Sequence, residues 1–168
     1  MSMEKLVLPQ TDVSNLESGQ WVLLSGRIFT ARDQAHKRMV EEGLPFSLQG
    51  QALYYAGPCP KKPNEISGPI GPTTSSRMDA FTPFLLQKGL KVMIGKGQRS
   101  KDVKEAIKRY QAAYLVTVGG AGAYIADKVK KLQVVAYSEL GSEAIYQLEV
   151  EDLPALVAID ASGKSIFD

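Results

Sequence analysis

The feature that most constrains the fold is an amphipathic helix pattern between two short apolar runs. In SKDVKEAIKRYQ, residues 100–111, apolar side chains recur at i, i+3, i+4 and i+7, and Ser100 is the expected N-cap. The flanking runs KVMIGKG and AYLVTVGG have the composition of strands. Strands that alternate with helices favour partly parallel pairing. The sequence therefore predicts the α/β class with a mixed sheet.

The remaining elements extend this order in both directions. Strands are expected in LVLPQTD, QWVLLSGRIFTA, QALYYAG, KLQVVAYSEL, IYQLEVED and ALVAID, with Gly26 as a bend or bulge and ASGKS as a turn. Helices are expected in DQAHKRMVEEG, capped by Asp33 and ended by Gly43, in part of RMDAFTPFLLQKG, and in AGAYIADKVKK. The proline-rich run 57–72 must be irregular backbone. No repeat or linker divides the chain, so we expect one domain over residues 1–168.

Composition excludes several classes of protein. With 44% hydrophobic residues the chain is globular, and a net charge of +2 gives no argument for nucleic acid. The cations of KGQRSKDVKEAIKRY are interrupted by acids, which is typical of a solvated helix face. No long apolar segment is present at the N-terminus or elsewhere, so we expect a cytoplasmic protein without membrane contact. The single cysteine, Cys59, excludes an internal disulfide and cannot alone hold an iron–sulfur cluster.

The stretch GPTTSSRMDAFTP, residues 71–83, carries four consecutive hydroxyl residues beside an arginine. If a helix begins near Ser76 or Arg77, its free amide groups would face the hydroxyls. Hydroxyls, amide groups and a guanidinium together suit a carboxylate or phosphate. The alternative is an N-cap with more hydroxyls than it needs, because Ser and Thr are the usual capping residues.

Three other stretches are candidates for chemistry. TARDQAHKR places Arg32 at a strand-to-helix junction, where it could reach a cleft; alternatively Asp33 caps, Arg32 pairs with an acid and His36 faces solvent. In IGKG, Lys96 stands between glycines at a strand end, as a ligand group or as an ordinary loop lysine. VGGAGAYIA, residues 118–126, resembles a phosphate-binding turn but lacks the G-x-G-x-x-G spacing.

Taken in order, several stretches resemble one family: SGRIFTARDQAHKR, YYAGPCP, GPTTSSRMD, IGKG, VGGAGA and VAIDASGKSIFD. They resemble the β subunit of class I fumarate hydratases and L-tartrate dehydratases, iron–sulfur hydro-lyases that also occur as single chains with this region at the C-terminus. The motifs GPTT-x-x-RMD and ARD-x-AHKR are the most specific. The resemblance runs from about residue 20 to the end and implies a swivelling β/β/α three-layer domain.

The resemblance also implies a division of roles between two chains. A separate α subunit would hold a [4Fe–4S] cluster with three cysteines, so that Cys59 is no ligand and this chain holds no metal. This chain would supply the general base, Thr73, and the groups that bind a C4 dicarboxylate, which are Arg32, Thr74, Arg77 and Lys96. Ser75 and Ser76 receive no role. The αβ pairs would assemble into a higher oligomer.

Three functions stay open at this point. The first is the β subunit of a fumarate hydratase, which interconverts fumarate and L-malate and is inactive without its α subunit. The second is the β subunit of an L-tartrate dehydratase, since no residue can be assigned to the choice between the two substrates. The third, from another class, is a stand-alone module that binds dicarboxylates.

Overall fold

The computed structural model describes residues 3–117 and 122–168. Within these ranges the strands are β1 (Glu4–Leu8), β2 (Trp21–Thr30), β3 (Ala52–Tyr54), β4 (Val92–Gly95), β5 (Ala113–Val116), β6 (Val129–Ala136) and β7 (Ile145–Ile159). The α-helices are α1 (Asp33–Glu42), α2 (Thr82–Gln87), α3 (Lys101–Arg109) and α4 (Gly122–Asp127). Two 3-10 helices span Ser75–Met78 and Ser138–Glu143.

The strands form a mixed sheet that closes on itself. Strands β1 to β5 pair in parallel in the order β1-β2-β3-β4-β5. The long strand β7 runs antiparallel to both β5 and β2, and β6 pairs with its other side. The cycle β2-β3-β4-β5-β7 therefore has no free edge, and the carboxyl ends of its four parallel strands point the same way.

Two apolar cores lie on the two faces of this closed sheet. One core consists of alternate strand residues such as Leu24, Ile28, Leu115 and Val157, all fully buried. The other packs the opposite strand faces against α1, α2 and α3, as Met93 and Tyr114 show. A sheet folded over its own core with helices on its outer face agrees with the predicted α/β class and its β/β/α layers.

Gly26 is the predicted bulge in β2. The β2–β7 register shifts between Leu24 and Gly26, and Gly26 has a φ of 105°. A Cβ at this position would overlap the carbonyl oxygen of Leu8 on β1. Only glycine combines this backbone conformation with so close an approach of the neighbouring strand.

Most predicted elements are confirmed, including α3 with its cap. The Ser100 hydroxyl accepts a hydrogen bond from the Val103 amide at 3.3 Å. Residues 57–72 contain no helix or strand, as their prolines predict. The predicted helix AGAYIADKVKK is wrong at its end, because α4 stops at Asp127 and β6 begins at Val129. IYQLEVED and ALVAID are parts of the single strand β7.

The predicted cap of α1 is wrong. The N-cap is Arg32, whose side chain makes no capping bond; Asp33 is the first residue of the helix and directs its carboxylate to Arg77. Gly43 ends the helix with a φ of 94°, as predicted. The carboxylate is taken by a partner 44 residues away, which no local pattern indicates.

Candidate functional site

The candidate residues meet where the parallel strands end. Strand β2 ends at Thr30, two residues before Arg32, and β4 ends at Gly95, directly before Lys96. The segment 73–77 lies between these ends. Its Thr73 amide donates to the Tyr55 carbonyl at 2.7 Å, just beyond β3. Ligand sites of α/β proteins commonly lie at this edge of the sheet.

The hydroxyl segment is joined directly to the lysine turn. Thr74 and Lys96 form an isolated parallel β-bridge, and the Ser75 amide donates to the Lys96 carbonyl at 3.0 Å. Thr73 is half-buried, whereas Thr74 and Lys96 are exposed. The segment 73–77 thus continues the sheet edge and places two threonines beside the backbone of Lys96.

The helix start predicted near Ser76 or Arg77 is a four-residue 3-10 turn, Ser75–Met78. Its first amide, on Ser75, already donates to the Lys96 carbonyl, so this amide is not free for a ligand as expected. The N-cap interpretation is also wrong, because the cap residue Thr74 makes no side-chain capping bond. Hydroxyl and cationic side chains, not helix amides, are what this turn offers a ligand.

Arg77 has its guanidinium anchored at one end and directed into the site at the other. Its Nε donates to Asp33 Oδ2 at 3.1 Å, and its Nη2 lies 2.9 Å from the same oxygen in an ion pair. Its Nη1 lies 3.5 Å from the Thr73 hydroxyl oxygen. With half of its side chain exposed, Arg77 keeps donors free for a ligand while its plane is fixed by Asp33.

Arg32 does not behave as an ordinary surface arginine. It is half-buried, and its Nε is buried without a hydrogen-bond partner in the described residues. Across residues 3–117 and 122–168 it forms no ion pair with an acid, so the predicted alternative of a nearby acidic partner is wrong. A buried, unsatisfied guanidinium nitrogen favours a site that an anion completes.

His36 is fully buried, against the interpretation that it faces solvent. Its Nδ1 lies 2.8 Å from the Arg32 carbonyl oxygen, which can only accept, so Nδ1 carries the proton. Burial, with a smaller effect of the Arg99 charge, lowers the pKa of His36 to about 4, although the bond to the Arg32 carbonyl and the Asp33 charge oppose the shift. His36 is therefore neutral and holds the backbone of Arg32 at the start of α1.

Three residues of this region were missed by sequence reasoning. Ser75 was given no role but is fully buried and bonded to Lys96. Tyr114, in β5, contacts Ser75 through its hydroxyl. Arg99 was counted with a solvated face, yet it is 6% exposed. Its neighbours in sequence are polar, and the acid that pairs with it, Asp79, is 20 residues away. No signal in the sequence could have found these contacts.

Two other predicted features remain to be located. In VGGAGAYIA, residues 118–121 lie outside the described residues, while the following residues form α4 after β5, as predicted. Cys59 is exposed in the proline-rich run, and its amide donates to the Pro69 carbonyl at 2.9 Å. Among the described residues no group of three or more His, Cys, Asp and Glu side chains could hold a metal ion.

The fold and these contacts define an α/β domain with a cation-rich sheet edge. The sequence model of the family described as "Fumarase C-terminus" matches residues 2–168 of the chain. The chain therefore belongs to the fumarase C-terminus family, as its motifs predicted.

The chain is similar both to much longer proteins and to a protein of nearly its own length. It is 41% identical to "Fumarate hydratase class I, aerobic" of Escherichia coli over 86% of this chain and 28% of that protein. It is 38% identical to "Fumarate hydratase 2" of Leishmania major, again over 28% of that protein. A Methanocaldococcus jannaschii protein named "Putative L(+)-tartrate dehydratase subunit beta" is 39% identical over 96% of this chain and 88% of its own length. The chain thus spans little more than a quarter of the fumarate hydratases but nearly all of the subunit.

In the described part of the chain, no helix is long and apolar enough to cross a membrane.

Proposed function

We propose that this chain is the β subunit of a class I fumarate hydratase and forms half of its active site. The observation that carries the proposal is the clustering of these segments at one sheet edge: Arg77 contacts Thr73, and Lys96 forms a backbone bridge with Thr74. Arg32, at the end of the neighbouring strand, keeps a buried Nε without a partner in the described residues. Three cations around two hydroxyls suit a substrate with two carboxylates. Family membership and the likeness to whole fumarate hydratases support the same substrate class.

The chemistry of hydration gives each residue a reason. Dehydration of L-malate breaks a C–H bond next to a carboxylate, so negative charge grows on that carboxylate as the proton leaves. Cationic groups already in place stabilise this charge without reorganising. In the proposal Arg32, Arg77 and Lys96 bind the two carboxylates, and Thr74 adds a hydroxyl donor.

Thr73 is proposed as the general base that takes the proton. A threonine hydroxyl is a weak base unless positive charge favours its alkoxide. Arg77 Nη1 lies 3.5 Å from Thr73 Oγ1, and Lys96 forms a backbone bridge with Thr74, the next residue. This arrangement supplies such a field. The hydroxide of the substrate leaves towards the side that the partner chain would cover.

The residues of this chain do not fit an iron–sulfur cluster. Cys59 is the only cysteine of the whole sequence, whereas such clusters are held by several cysteine thiolates. We therefore propose that a separate α subunit carries the [4Fe–4S] cluster and that the complex is an oligomer of αβ pairs. The likeness to a protein named as a subunit β supports a two-chain enzyme.

The same likeness favours a second candidate, the β subunit of an L-tartrate dehydratase. Tartrate carries one more hydroxyl than malate, and either chain could supply the additional donor. A stand-alone module that binds dicarboxylates is the third candidate; it would bind them without any partner.

The test is anaerobic reconstitution with the candidate α subunit, followed by assays on fumarate, L-malate and both tartrates. We expect interconversion of fumarate and malate by the complex and none by this chain alone. Turnover of a tartrate only would favour the dehydratase. Tight dicarboxylate binding by the isolated chain, without assembly with the α subunit, would favour the stand-alone module.

In the same complex Thr73→Ala should lower kcat by about a hundredfold or more, the usual range for loss of a general base. KM and the absorbance of the cluster should change little, because the cationic groups stay in place. Ser76→Ala is the matched control, since Ser76 is an exposed neighbour without a proposed role. Turnover of Thr73→Ala close to that of the control would remove Thr73 as the base.

A further inference from the structure

Ser75 is the point at which the hydroxyl segment and the lysine turn are joined. It is fully buried, between exposed Thr74 and exposed Ser76. Its amide donates to the Lys96 carbonyl at 3.0 Å, and the Lys96 amide donates to Ser75 Oγ at 3.0 Å. Both backbone groups of Lys96 are therefore bonded to one residue.

Tyr114 completes this connection from β5. Its hydroxyl oxygen lies 2.7 Å from Ser75 Oγ and 2.7 Å from the Gly97 carbonyl oxygen. The carbonyl can only accept, so the single proton of Tyr114 goes to Gly97. The Ser75 hydroxyl then donates to Tyr114, and its lone pair accepts from the Lys96 amide. This is the one arrangement in which all three bonds form.

The surroundings hold the tyrosine in place. Burial raises the pKa of Tyr114, so its hydroxyl keeps the proton that it donates. The guanidinium carbon of Arg99 lies 4.7 Å from the centre of the Tyr114 ring, a cation–π distance. Arg99 is in turn bonded to Asp79 at 2.7 Å and to the Thr82 hydroxyl at 2.9 Å.

Gly95 shows how closely the joined segments fit. A Cβ at this position would overlap Ser75 Oγ, so the hydroxyl occupies the space that any other residue would fill. The Lys96 turn therefore has no room to approach the hydroxyl segment, and its hydrogen bonds prevent it from moving away.

We propose that Ser75 and Tyr114 are positioning residues that set the place of Lys96 relative to Thr73 and Arg77. This inference rests on the proposed function, because it assumes that Lys96 binds a substrate carboxylate. Neither hydroxyl touches the substrate; both act through the backbone of residues 96–97. A displacement of about 1 Å in a binding group can cost up to about a hundredfold in rate.

The first test compares Ser75→Ala and Tyr114→Phe with Ser76→Ala in the reconstituted complex. Tyr114→Phe removes only the hydroxyl and keeps the ring beside Arg99. We expect each of the two variants to lower kcat/KM by about tenfold, the effect of one lost hydrogen bond on a transition state. Ser76→Ala should stay within about twofold of the wild type, because its side chain makes no hydrogen bond within the described residues. If Ser75→Ala does not fold, the kinetics of Tyr114→Phe alone decide whether the two hydroxyls position Lys96.

The second test separates positioning from general support of the fold. In a Lys96→Ala background, Tyr114→Phe should cost less than about twofold, because the group that it positions is gone. The same tenfold loss in both backgrounds would mean that the hydroxyl acts elsewhere, and the inference would be overturned. Wild-type kinetics for Tyr114→Phe would overturn it as well.

The outcome also distinguishes this inference from the proposed function. If the wild-type complex turns over fumarate or malate and the variants behave like Ser76→Ala, only the inference fails. If the wild-type complex turns over none of the four dicarboxylates, the proposed function fails and the inference fails with it.

Discussion

At the scale of single residues, the site is defined by which groups have partners and which do not. Arg77 is tied by Asp33 and reaches Thr73, whereas the Nε of Arg32 is buried without a partner in the described residues. An anchored and an unsatisfied guanidinium differ in what they offer. The first is fixed in orientation before a ligand arrives, and the second gains a hydrogen bond when one does.

Arg77→Lys should raise KM by about tenfold or more, because loss of a hydrogen bond to a charged group costs about 1.5–3 kcal/mol. A lysine has one charged nitrogen and cannot hold Asp33 and face Thr73 together. Steady-state kinetics of the reconstituted complex on malate measure the effect. Arg38→Lys is the matched control, since Arg38 forms ion pairs with Glu42 and Glu139 on the surface. An unchanged KM and kcat for Arg77→Lys would make Arg77 structural.

The buried His36 predicts how the stability of the chain depends on pH. Its pKa is about 4 when folded, against an ordinary value of 6.5, so the unfolded chain binds its proton first as the pH falls. The contribution of neutral His36 to the free energy of unfolding is therefore fully present above pH 6.5 and decreases towards pH 4. From these values the loss between pH 7 and pH 5 is about 2 kcal/mol.

The measurement is urea unfolding at pH 5, 6 and 7 for the wild type and for His36→Gln. His36 is the only histidine, so the variant removes the imidazole titration from this window entirely. We expect a smaller pH dependence in the variant. An equal decrease in both proteins would show that His36 is protonated as easily in the folded chain as in the unfolded one.

At the scale of elements, the end of β4 is packed too closely for any residue but glycine. A Cβ on Gly95 would overlap Ser75 Oγ and lie 2.8 Å from a Tyr55 ring carbon. Gly95→Ala should therefore destabilise the chain by about 1–3 kcal/mol, the usual cost of overpacking. It should also lower turnover, because Lys96 is the next residue.

Gly71→Ala is the control for this prediction. Among the described residues, a Cβ on Gly71 would have no neighbour closer than 3.7 Å, which is ordinary contact, and the loss of stability should be small. Thermal unfolding of the two variants tests the difference. Equal stability of Gly95→Ala and the wild type would mean that the ends of β4 and of the hydroxyl segment are not packed together.

Local patterns predicted most elements but few of their contacts. The apolar spacing of α3 and its Ser100 cap depend on neighbours within one helical turn, and both are confirmed. The Asp33 cap failed because Arg77, distant in sequence, takes the carboxylate. Residues 128–131 form a turn and the start of β6 where a helix was expected, because pairing with β7 overrides the helical preference of lysines.

At the scale of the whole molecule, the closed sheet explains how residues 32, 73–77 and 96 come together. Parallel strands that close into a cycle bring their carboxyl ends to one rim, and the segments after β2, β3 and β4 meet there. The single domain expected over residues 1–168 and the higher oligomer stay predictions.

The proposed division between two chains predicts the behaviour of Cys59. Cys59→Ser should leave the iron and sulfide content of the reconstituted complex unchanged, because one exposed thiol in an irregular segment is no cluster site. Iron analysis and the visible absorbance of the complex measure this. Unchanged turnover should accompany unchanged iron. Loss of iron from the variant would assign a cluster ligand to this chain.

The sequence by itself determined the α/β class, the order of most elements and the family, since these depend on local spacing and on motifs within short stretches. It also named Arg32, Thr73, Thr74, Arg77 and Lys96, whose roles stay proposals. Only the tertiary structure decided that Asp33 holds Arg77, that His36 is buried and neutral, and that Ser75 and Tyr114 fasten Lys96. Each of these findings depends on contacts between groups distant in sequence or on burial. Neither such contacts nor the burial of a single polar residue leaves a periodic signal in the sequence.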